Sequence, residues 1–311
     1  MGTREEGSEI GDMMDAKILD HYRECSLFTN PGAYRQMLAS GLPDDVREIG
    51  RLIRTNTIHR MVLAMGNTGS NADMKYGDMT EVPWWRQPED DNLVTAAAML
   101  AEIYRRDSRG LVADRRVRDR IVITCRYVAI LMASVLKSKG VPARVRSGNA
   151  PYFERESLGK VSVDHWINQY WNEAAGRWVT IDADGIFEIK GFDPFDMPES
   201  AFDFPAKAWL DIRAGKDYAT RFYNGKPERG AIVVLWSLFY DFHSLMNNEI
   251  IYMHNPVYGE PQKFANLTTQ EMGKIDGLAR LMLDPDANFD ALKEIFETQR
   301  DFRLLAGALL R

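Results

Sequence analysis

The chain has 311 residues, 45% of them hydrophobic, with a formal net charge of −6 and a pI near 5.5. This length is sufficient for a full hydrophobic core in one or two domains. The acidic balance argues against nucleic acid as a partner, because nucleic-acid phosphates select basic surfaces. The longest apolar stretch, residues 231–238, is too short to span a bilayer, so no membrane partner is expected.

The two cysteines, Cys25 and Cys125, are too few for a disulfide framework. Free thiols are typical of a reducing compartment. The first residues, MGTREEGSE, are polar and acidic, which predicts no secretory signal peptide. Together these features predict a cytoplasmic protein.

Residues 1–11 are expected to form a loose tail, and residues 12–90 a helical region that contains a long loop. Two helices are predicted, near 44–65 and 92–106. The first begins with two acidic residues after Pro43, as helix N-termini favour.

The loop between these helices, residues 66–91, is rich in Gly, Asn, Asp and Pro and carries Trp84 and Trp85. A loop of this length is usually functional or mobile. Two interpretations fit it equally well. It borders an active-site cleft, or it is a surface loop that its two tryptophans anchor.

Residues 101–126 carry eight arginines against four carboxylates. Such a stretch, which ends at Arg126, suits an anionic group such as the phosphate of a carrier-linked thioester. An arginine-rich segment is more often a solvated face with internal salt bridges. Both interpretations stay open at the level of sequence.

Cys125 opens an apolar helical run that ends at the stop signal of Gly140 and Pro142. Thr124, directly before it, is a favourable N-cap residue. The first turn of a helix carries unpaired N–H groups that favour an anion, so a thiol there is a candidate nucleophile. The alternative is a buried cysteine that packs as a small hydrophobic residue.

Two β-rich segments follow the helix, at 161–171 and 177–182. His165 lies in the first, and Asp182 ends the second. A thiolate nucleophile needs an adjacent imidazole, which in turn needs a carboxylate to fix its tautomer and orientation. The residue types and their order therefore predict a Cys-His-Asp site, with Asp184, on the same strand face, as the alternative carboxylate.

The pattern becomes helical again after the second strand. Helices are expected near 201–214, 230–247, 268–283 and 289–298. The prediction is an α+β protein in which a core at residues 91–190 is followed by a helical extension at residues 191–311, all in one compact unit.

Three segments resemble the core motifs of the transglutaminase-like superfamily: TCRYVAILMASVLKSKGVPARVRSG, DHWINQYW and RWVTIDAD. The matching features are the Gly-Val-Pro-Ala-Arg turn at 140–144, the tryptophan after His165 and the Trp-x-x-x-Asp strand that ends at Asp182. Segments before and after these motifs also resemble a bacterial branch of this superfamily.

This resemblance implies a papain-like fold in which the nucleophile helix packs on an antiparallel sheet, with helical extensions at both ends. Carried over by position, Cys125 is the nucleophile, His165 the general acid/base and Asp182 its orienting carboxylate. The implied reaction is acyl transfer from an amide or thioester through a Cys125 acyl-enzyme, with an amine or water as acceptor and no cofactor. A small-molecule, peptide or carrier-linked acyl substrate is expected. Its expected contacts are Trp84, Trp85, Arg126 and Trp166.

Two other functions remain open: a cysteine peptidase or amidase with the same triad, and a non-catalytic binding or scaffold protein on the same fold. The sequence has no Gly-x-Ser-x-Gly elbow, phosphate-binding loop or dinucleotide fingerprint. It also lacks the His-Glu-x-x-His or paired-cysteine spacing of a metal site, so no metal is expected. Substrate identity, pathway and oligomeric state do not follow from the sequence.

Overall fold

A computed structural model describes residues 14–61, 79–86, 89–153, 161–187, 189–224, 228–252 and 254–303. Its α-helices are α1 (Ala16–Arg23), α2 (Arg35–Gly41), α3 (Val46–Thr55), α4 (Ala96–Arg106), α5 (Cys125–Ser138), α6 (Pro205–Arg213), α7 (Ala231–Leu245), α8 (Pro261–Phe264), α9 (Thr269–Met282) and α10 (Phe289–Thr298). Its strands are β1 (Thr57–His59), β2 (Ile121–Ile123), β3 (Ala143–Ala150), β4 (Ser162–Asn172), β5 (Arg177–Ile181) and β6 (Phe222–Tyr223).

The helix that begins at Cys125 lies in the centre of the molecule. Every residue of α5 from Cys125 to Lys137 is buried, as expected for a helix that is apolar on most of its faces. It packs against β3 and β4, and its side chains form the middle of the larger hydrophobic core. The predicted α+β class, with the helix that begins at Cys125 packed on an antiparallel sheet, is confirmed.

The main sheet has the order β3-β4-β5, with antiparallel pairing throughout, and β6 adds a short parallel pair to β4. Ile181, the last residue of β5, pairs with Asn168 of β4. Extending this register by one residue places Asp182 opposite Ile167. Because side chains alternate along a strand, Asp182 then lies on the same face as His165, as its diagonal neighbour.

The C-terminal helices form a second core on the sheet. α7 packs against β3 and α6, and α6 packs against α9. The helices predicted near 201–214, 230–247, 268–283 and 289–298 are confirmed as α6, α7, α9 and α10. The helix predicted near 92–106 is confirmed as α4, which begins at Ala96, where the Thr95 side chain accepts a hydrogen bond from the Ala98 N–H.

The helix predicted near 44–65 is wrong beyond Thr55. Residues 57–59 form β1, which pairs in parallel with β2, and residues 62–65 lie outside the described part. The helix ends at Asn56, whose buried side chain donates to the carbonyl of Val112 and accepts from Arg115. These contacts are tertiary, so no local periodicity could indicate them. α1 and α2 were not predicted.

The predicted loop at 66–91 lies largely outside the described residues. Its described part contains short 3-10 turns at Met79–Glu81, Trp84–Arg86 and Glu89–Asp91. Across the residues that the structure describes, no helix has both the length and the apolarity needed to cross a membrane.

A buried ion pair joins the C-terminal helices to the sheet. Arg146 of β3 makes two 2.8 Å hydrogen bonds to the carboxylate of Asp241 in α7, and the N–H of Ser147 adds a third at 3.0 Å. Asp241 is fully buried. A charge of this kind is tolerated only while its partner remains, because either charge alone would be buried without compensation.

Asp241→Ala is therefore expected to lower the free energy of unfolding by about 3–5 kcal/mol, because it leaves the Arg146 guanidinium buried and unpaired. Asp211→Ala is the matched control, since Asp211 pairs with the exposed Lys207 and such pairs contribute less than about 1 kcal/mol. Urea denaturation of both variants measures the difference. Equal losses would show that the buried pair does not hold α7 on the sheet.

Candidate active site

Cys125 is the first residue of α5 and is 5% exposed. Thr124 is the N-cap residue, with extended backbone angles, but its side chain makes no capping hydrogen bond. The first N–H groups of a helix point towards its start, where they favour an anion. The Cys125 sulfur lies at this position, 3.2 Å from the hydroxyl of Tyr252.

His165 and Asp182 form a buried pair beside this thiol. Nε2 of His165 lies 2.9 Å from Oδ2 of Asp182, and neither side chain is more than 3% exposed. The Asp182 carboxylate also accepts hydrogen bonds from the Tyr152 hydroxyl and the Gly185 N–H, both at 2.8 Å. Because Nε2 is held by Asp182, Nδ1 is the ring nitrogen that remains available to the Cys125 thiol.

The charges of the pair determine both pKa shifts. Burial disfavours the ionised form of Asp182, but the positive charge of His165 and the three hydrogen bonds outweigh it and lower the pKa of this carboxyl. Burial likewise disfavours the imidazolium of His165, but the negative charges of Asp182 and Cys125 raise its pKa well above the ordinary value. The pair therefore favours a charged histidine next to the thiol.

The pKa of the Cys125 thiol is shifted in the opposite direction to that of His165. Burial raises the pKa of Cys125, but the charge of His165 and hydrogen bonds from His165 and His59 outweigh burial, and the net shift is downward. A lowered thiol pKa increases the fraction of thiolate, which is the nucleophilic form. The arrangement can therefore hold a thiolate–imidazolium pair in a site with little access to water.

Asp184 does not contact His165. It lies in a separate group, where one carboxylate oxygen is 3.5 Å from Nε of Arg54 and the other is 3.7 Å from Nε2 of His59. β5 ends at Ile181, and the chain turns directly after Asp182, whose carboxylate accepts a hydrogen bond from the Gly185 N–H. Asp182 therefore keeps the place beside His165 that the strand register gives it, whereas the turn carries Asp184 to Arg54 and His59.

Three further residues at the site were not predicted as functional: His59, Tyr152 and Tyr252. His59 is brought beside Ile123, two residues before Cys125, by the pairing of two three-residue strands, which are too short for alternation to be recognised in the sequence. Tyr152 follows β3 in a 3-10 turn, and Tyr252 reaches the thiol from the segment after α7. Only the fold could identify them.

The predicted substrate contacts do not share one surface. Trp85 is 64% exposed, and the side chain of Trp84 lies outside the described part. Arg126 is fully buried, where it donates to the backbone carbonyls of Glu249 and Ile250. Trp166 is 1% exposed and packs against Tyr252. Because Arg126 and Trp166 are buried, we assign these two side chains packing roles and not substrate contact.

The arginines before Cys125 are mostly paired with neighbouring carboxylates. Arg105 and Arg106 bind Glu102, Arg109 binds Asp107, and Arg116 binds Asp119. This pattern favours the salt-bridged face over an anion-binding surface. Within the described ranges, no cluster of three or more His, Cys, Asp or Glu side chains is arranged to hold a metal ion.

Residues 111–183 match the family model of the transglutaminase-like superfamily, and this segment is a transglutaminase-like domain. The match contains Cys125, His165 and Asp182. No curated protein and no solved structure matches the chain. The match therefore supports a transglutaminase-like segment around these residues, whereas the reaction is inferred from the geometry of the site.

Gly185 is required by the position of the Asp182 carboxylate. A Cβ at residue 185 would overlap this carboxylate, which its three hydrogen bonds hold in place. Gly185→Ala is expected to reduce the free energy of unfolding by about 1–3 kcal/mol, as overpacking of a buried site usually does. Chemical denaturation measures this loss.

Gly277→Ala is the control, because Gly277 lies in α9 with open space around its Cα. That change is expected to stabilise the protein by about 0.5–1 kcal/mol. If Gly185→Ala were as stable as the wild type, the carboxylate would not be confined as described.

Proposed function

We propose that this protein is a cysteine-dependent acyl-transfer enzyme in which Cys125 is the nucleophile, His165 the general acid/base and Asp182 the orienting carboxylate. The observation that carries the proposal is the buried His165–Asp182 pair at the start of α5. It leaves one histidine nitrogen for a thiol that is positioned at a helix N-terminus. The match to the transglutaminase-like superfamily supports the same chemistry.

In the first half-reaction the Cys125 thiolate attacks the carbonyl carbon of an amide or thioester. A C–S bond forms and the carbonyl oxygen gains the negative charge, which the N–H of Cys125 is positioned to stabilise. As the tetrahedral intermediate collapses, the His165 imidazolium gives its proton to the departing amine or thiol. The products are a thioester on Cys125, a neutral His165 and the released leaving group.

In the second half-reaction the neutral His165 removes a proton from an amine or water as this acceptor attacks the thioester carbonyl. The C–S bond breaks, Cys125 leaves as thiolate, and His165 remains as imidazolium. The starting thiolate–imidazolium pair is thus restored, and no electron acceptor or cofactor enters the balance. Asp182 remains an ionised carboxylate throughout and orients His165 in both steps.

The surroundings of His165 favour an amine over water as acceptor. The ring of Phe153 lies edge-on to His165 at 4.8 Å between centroids, and the ring of Tyr152 lies edge-on at 6.3 Å. Aromatic rings at these positions limit the water that can reach the base. The second candidate, a peptidase or amidase, uses the same acyl-enzyme with water as acceptor.

The first test measures the rate of iodoacetamide alkylation at Cys125 against pH by peptide mass spectrometry. The rate is expected to rise through a pKa below the free thiol value of about 8.5, because the thiolate is stabilised in the folded site. In His165→Ala this shift should be lost. Cys25, which lies outside the site, is the internal control in each sample.

A Cys125 that titrates like an ordinary thiol in the wild type, unchanged in His165→Ala, would contradict the proposed function. That result would favour a non-catalytic scaffold.

The second test measures the partition of the acyl-enzyme between amine and water. With an activated acyl ester as donor and a primary alkylamine as acceptor, Phe153→Ala is expected to raise the hydrolysed share, since it opens His165 to water. Tyr218→Ala, at a ring that is 82% exposed, should leave the partition unchanged. Product ratios by liquid chromatography give the result. Hydrolysis that dominates in the wild type at saturating amine would favour the amidase.

A further inference from the structure

The C-terminal extension brings one polar side chain to the sulfur of Cys125. Tyr252 lies in the segment after α7, outside residues 111–183 that match the family model. Its hydroxyl oxygen nevertheless lies 3.2 Å from the Cys125 sulfur. The matched segment therefore does not supply the whole environment of the proposed nucleophile.

The backbone before Tyr252 is anchored to the helix that begins at Cys125. Arg126, the second residue of α5, is fully buried and donates to the carbonyls of Glu249 and Ile250, the latter at 3.0 Å. These two bonds fix the segment after α7 relative to the first turn of α5. The position of Tyr252 is thereby tied to that of the thiol.

Two aromatic side chains hold the ring of Tyr252. Trp166 and Tyr240 both lie edge-on to it, with 6.0 Å and 6.1 Å between ring centroids. Trp166 is 1% exposed and directly follows His165 in β4. Edge-on packing restricts the ring, whereas the hydrogen of the hydroxyl can still rotate about its C–O bond. The oxygen of Tyr252 is thus fixed, and the direction of its O–H bond is adjustable.

Attack by a thiolate moves the negative charge from sulfur to oxygen. When the C–S bond forms, sulfur becomes neutral and the carbonyl oxygen gains the charge. This oxygen is two bonds away from the sulfur. A donor that lies 3.2 Å from the sulfur is therefore also close to the place where the oxyanion develops.

The two histidines near the thiol are engaged elsewhere. Nε2 of His165 is held by Asp182, and its Nδ1 is needed for proton transfer in the proposed reaction. Nδ1 of His59 accepts from the Met61 N–H at 3.2 Å, and its Nε2 faces Asp184 at 3.7 Å. The Tyr252 hydroxyl has no such commitment in the proposed reaction, and it contacts the sulfur directly.

Tyr252 keeps its proton at pH values at which the thiolate forms. Burial and the negative charge of Cys125 raise the pKa of Tyr252 well above its ordinary value. A protonated tyrosine has one hydrogen to donate. It can donate this hydrogen to the sulfur before attack and to the oxygen afterwards.

We propose that Tyr252 is a further catalytic residue, whose O–H stabilises the oxyanion together with the N–H of Cys125. This inference rests on the proposed function and assigns a second oxyanion donor within it. No covalent bond is made or broken at Tyr252, and its proton stays on its oxygen. A donor that stayed on sulfur would stabilise only the thiolate and slow its attack, whereas one that turns to the oxygen stabilises the transition state.

The test compares two reactions of Cys125 in the wild type and in Tyr252→Phe, which keeps the ring and removes the hydroxyl. Alkylation by iodoacetamide takes place at a saturated carbon and forms no oxyanion. Acetylation by p-nitrophenyl acetate forms one, and its leaving group departs as a phenolate without a proton from His165. Acid quenching and peptide mass spectrometry measure both initial rates at Cys125.

Both rates are compared at their high-pH plateaus, where the thiol is fully ionised and a change in its pKa no longer matters. Tyr252→Phe is expected to lower the acetylation plateau by about 10²–10³-fold, the usual effect of removing one oxyanion donor. The alkylation plateau should stay the same or rise, because a thiolate that has lost a hydrogen bond is at least as nucleophilic.

Tyr258→Phe is the matched control. It removes a hydroxyl from the same extension, one that donates to Asp301 at 3.1 Å, and it should leave both plateaus unchanged. Circular dichroism verifies that each variant is folded. Partial unfolding would alter both reactions of Cys125, so it could not imitate a loss that is confined to acetylation.

The outcomes separate this inference from the proposed function. If acetylation and alkylation fall together in Tyr252→Phe, or if neither changes, Tyr252 is not an oxyanion donor. A rise in both rates would also overturn the inference, because it would show that Tyr252 only covers the thiol. A wild-type Cys125 that is acetylated no faster than Cys25 would instead contradict the proposed function itself.

Discussion

The carboxylate of Asp182 is fully buried, and its negative charge can remain there only because donors surround it. These donors come from different parts of the fold: His165 from β4, Tyr152 from the turn after β3, and the N–H of Gly185 from the turn after β5. The ends of three neighbouring strands therefore have to meet at one point. The position of the sheet relative to the start of α5 then determines whether His165 can reach Cys125.

A similar constraint holds the C-terminal helices on the molecule. Arg146 and Arg144 both extend from β3 and both donate to the amide oxygen of Gln169, and each also binds a carboxylate of the C-terminal region, Asp241 or Asp286. A buried charge of this kind is tolerated only beside its partner, because separating the two would leave it uncompensated. The two ion pairs fix the C-terminal extension in one position on the sheet that carries His165. They thereby stabilise the position of His165 in the site.

The thiol of Cys125 interacts with more polar side chains than a Cys-His-Asp triad requires. The hydroxyl of Tyr252, from the segment after α7, lies 3.2 Å from the sulfur, and His165 from β4 and His59 from β1 lower the pKa of the thiol. Burial by itself would keep the thiol protonated, and the surrounding donors reverse that preference. The site is thus built for an anion in a place from which water is largely excluded, which is the physical basis of the proposed chemistry.

Local patterns in the sequence determined much of the fold and the core of the candidate site. The apolar run from Cys125 to the Gly140 stop predicted α5, and the alternating segments around His165 and before Asp182 predicted β4 and β5. Such patterns can be recognised because the buried residues recur at every second position in a strand and about every 3.6 positions in a helix. The C-terminal helices followed from the same rule, with errors of a few residues at their ends.

Tertiary structure alone decided the rest. The helix predicted near 44–65 ends at Asn56 because distant residues bind that side chain, and the freed segment becomes the strand that carries His59. The choice of Asp182 over Asp184 depended on the turn after Ile181, and the burial of Arg126 and Trp166 depended on the C-terminal extension. Each of these outcomes is set by contacts between residues far apart in the chain. A sequence encodes local periodicity directly, but it reveals such contacts only once the fold has formed.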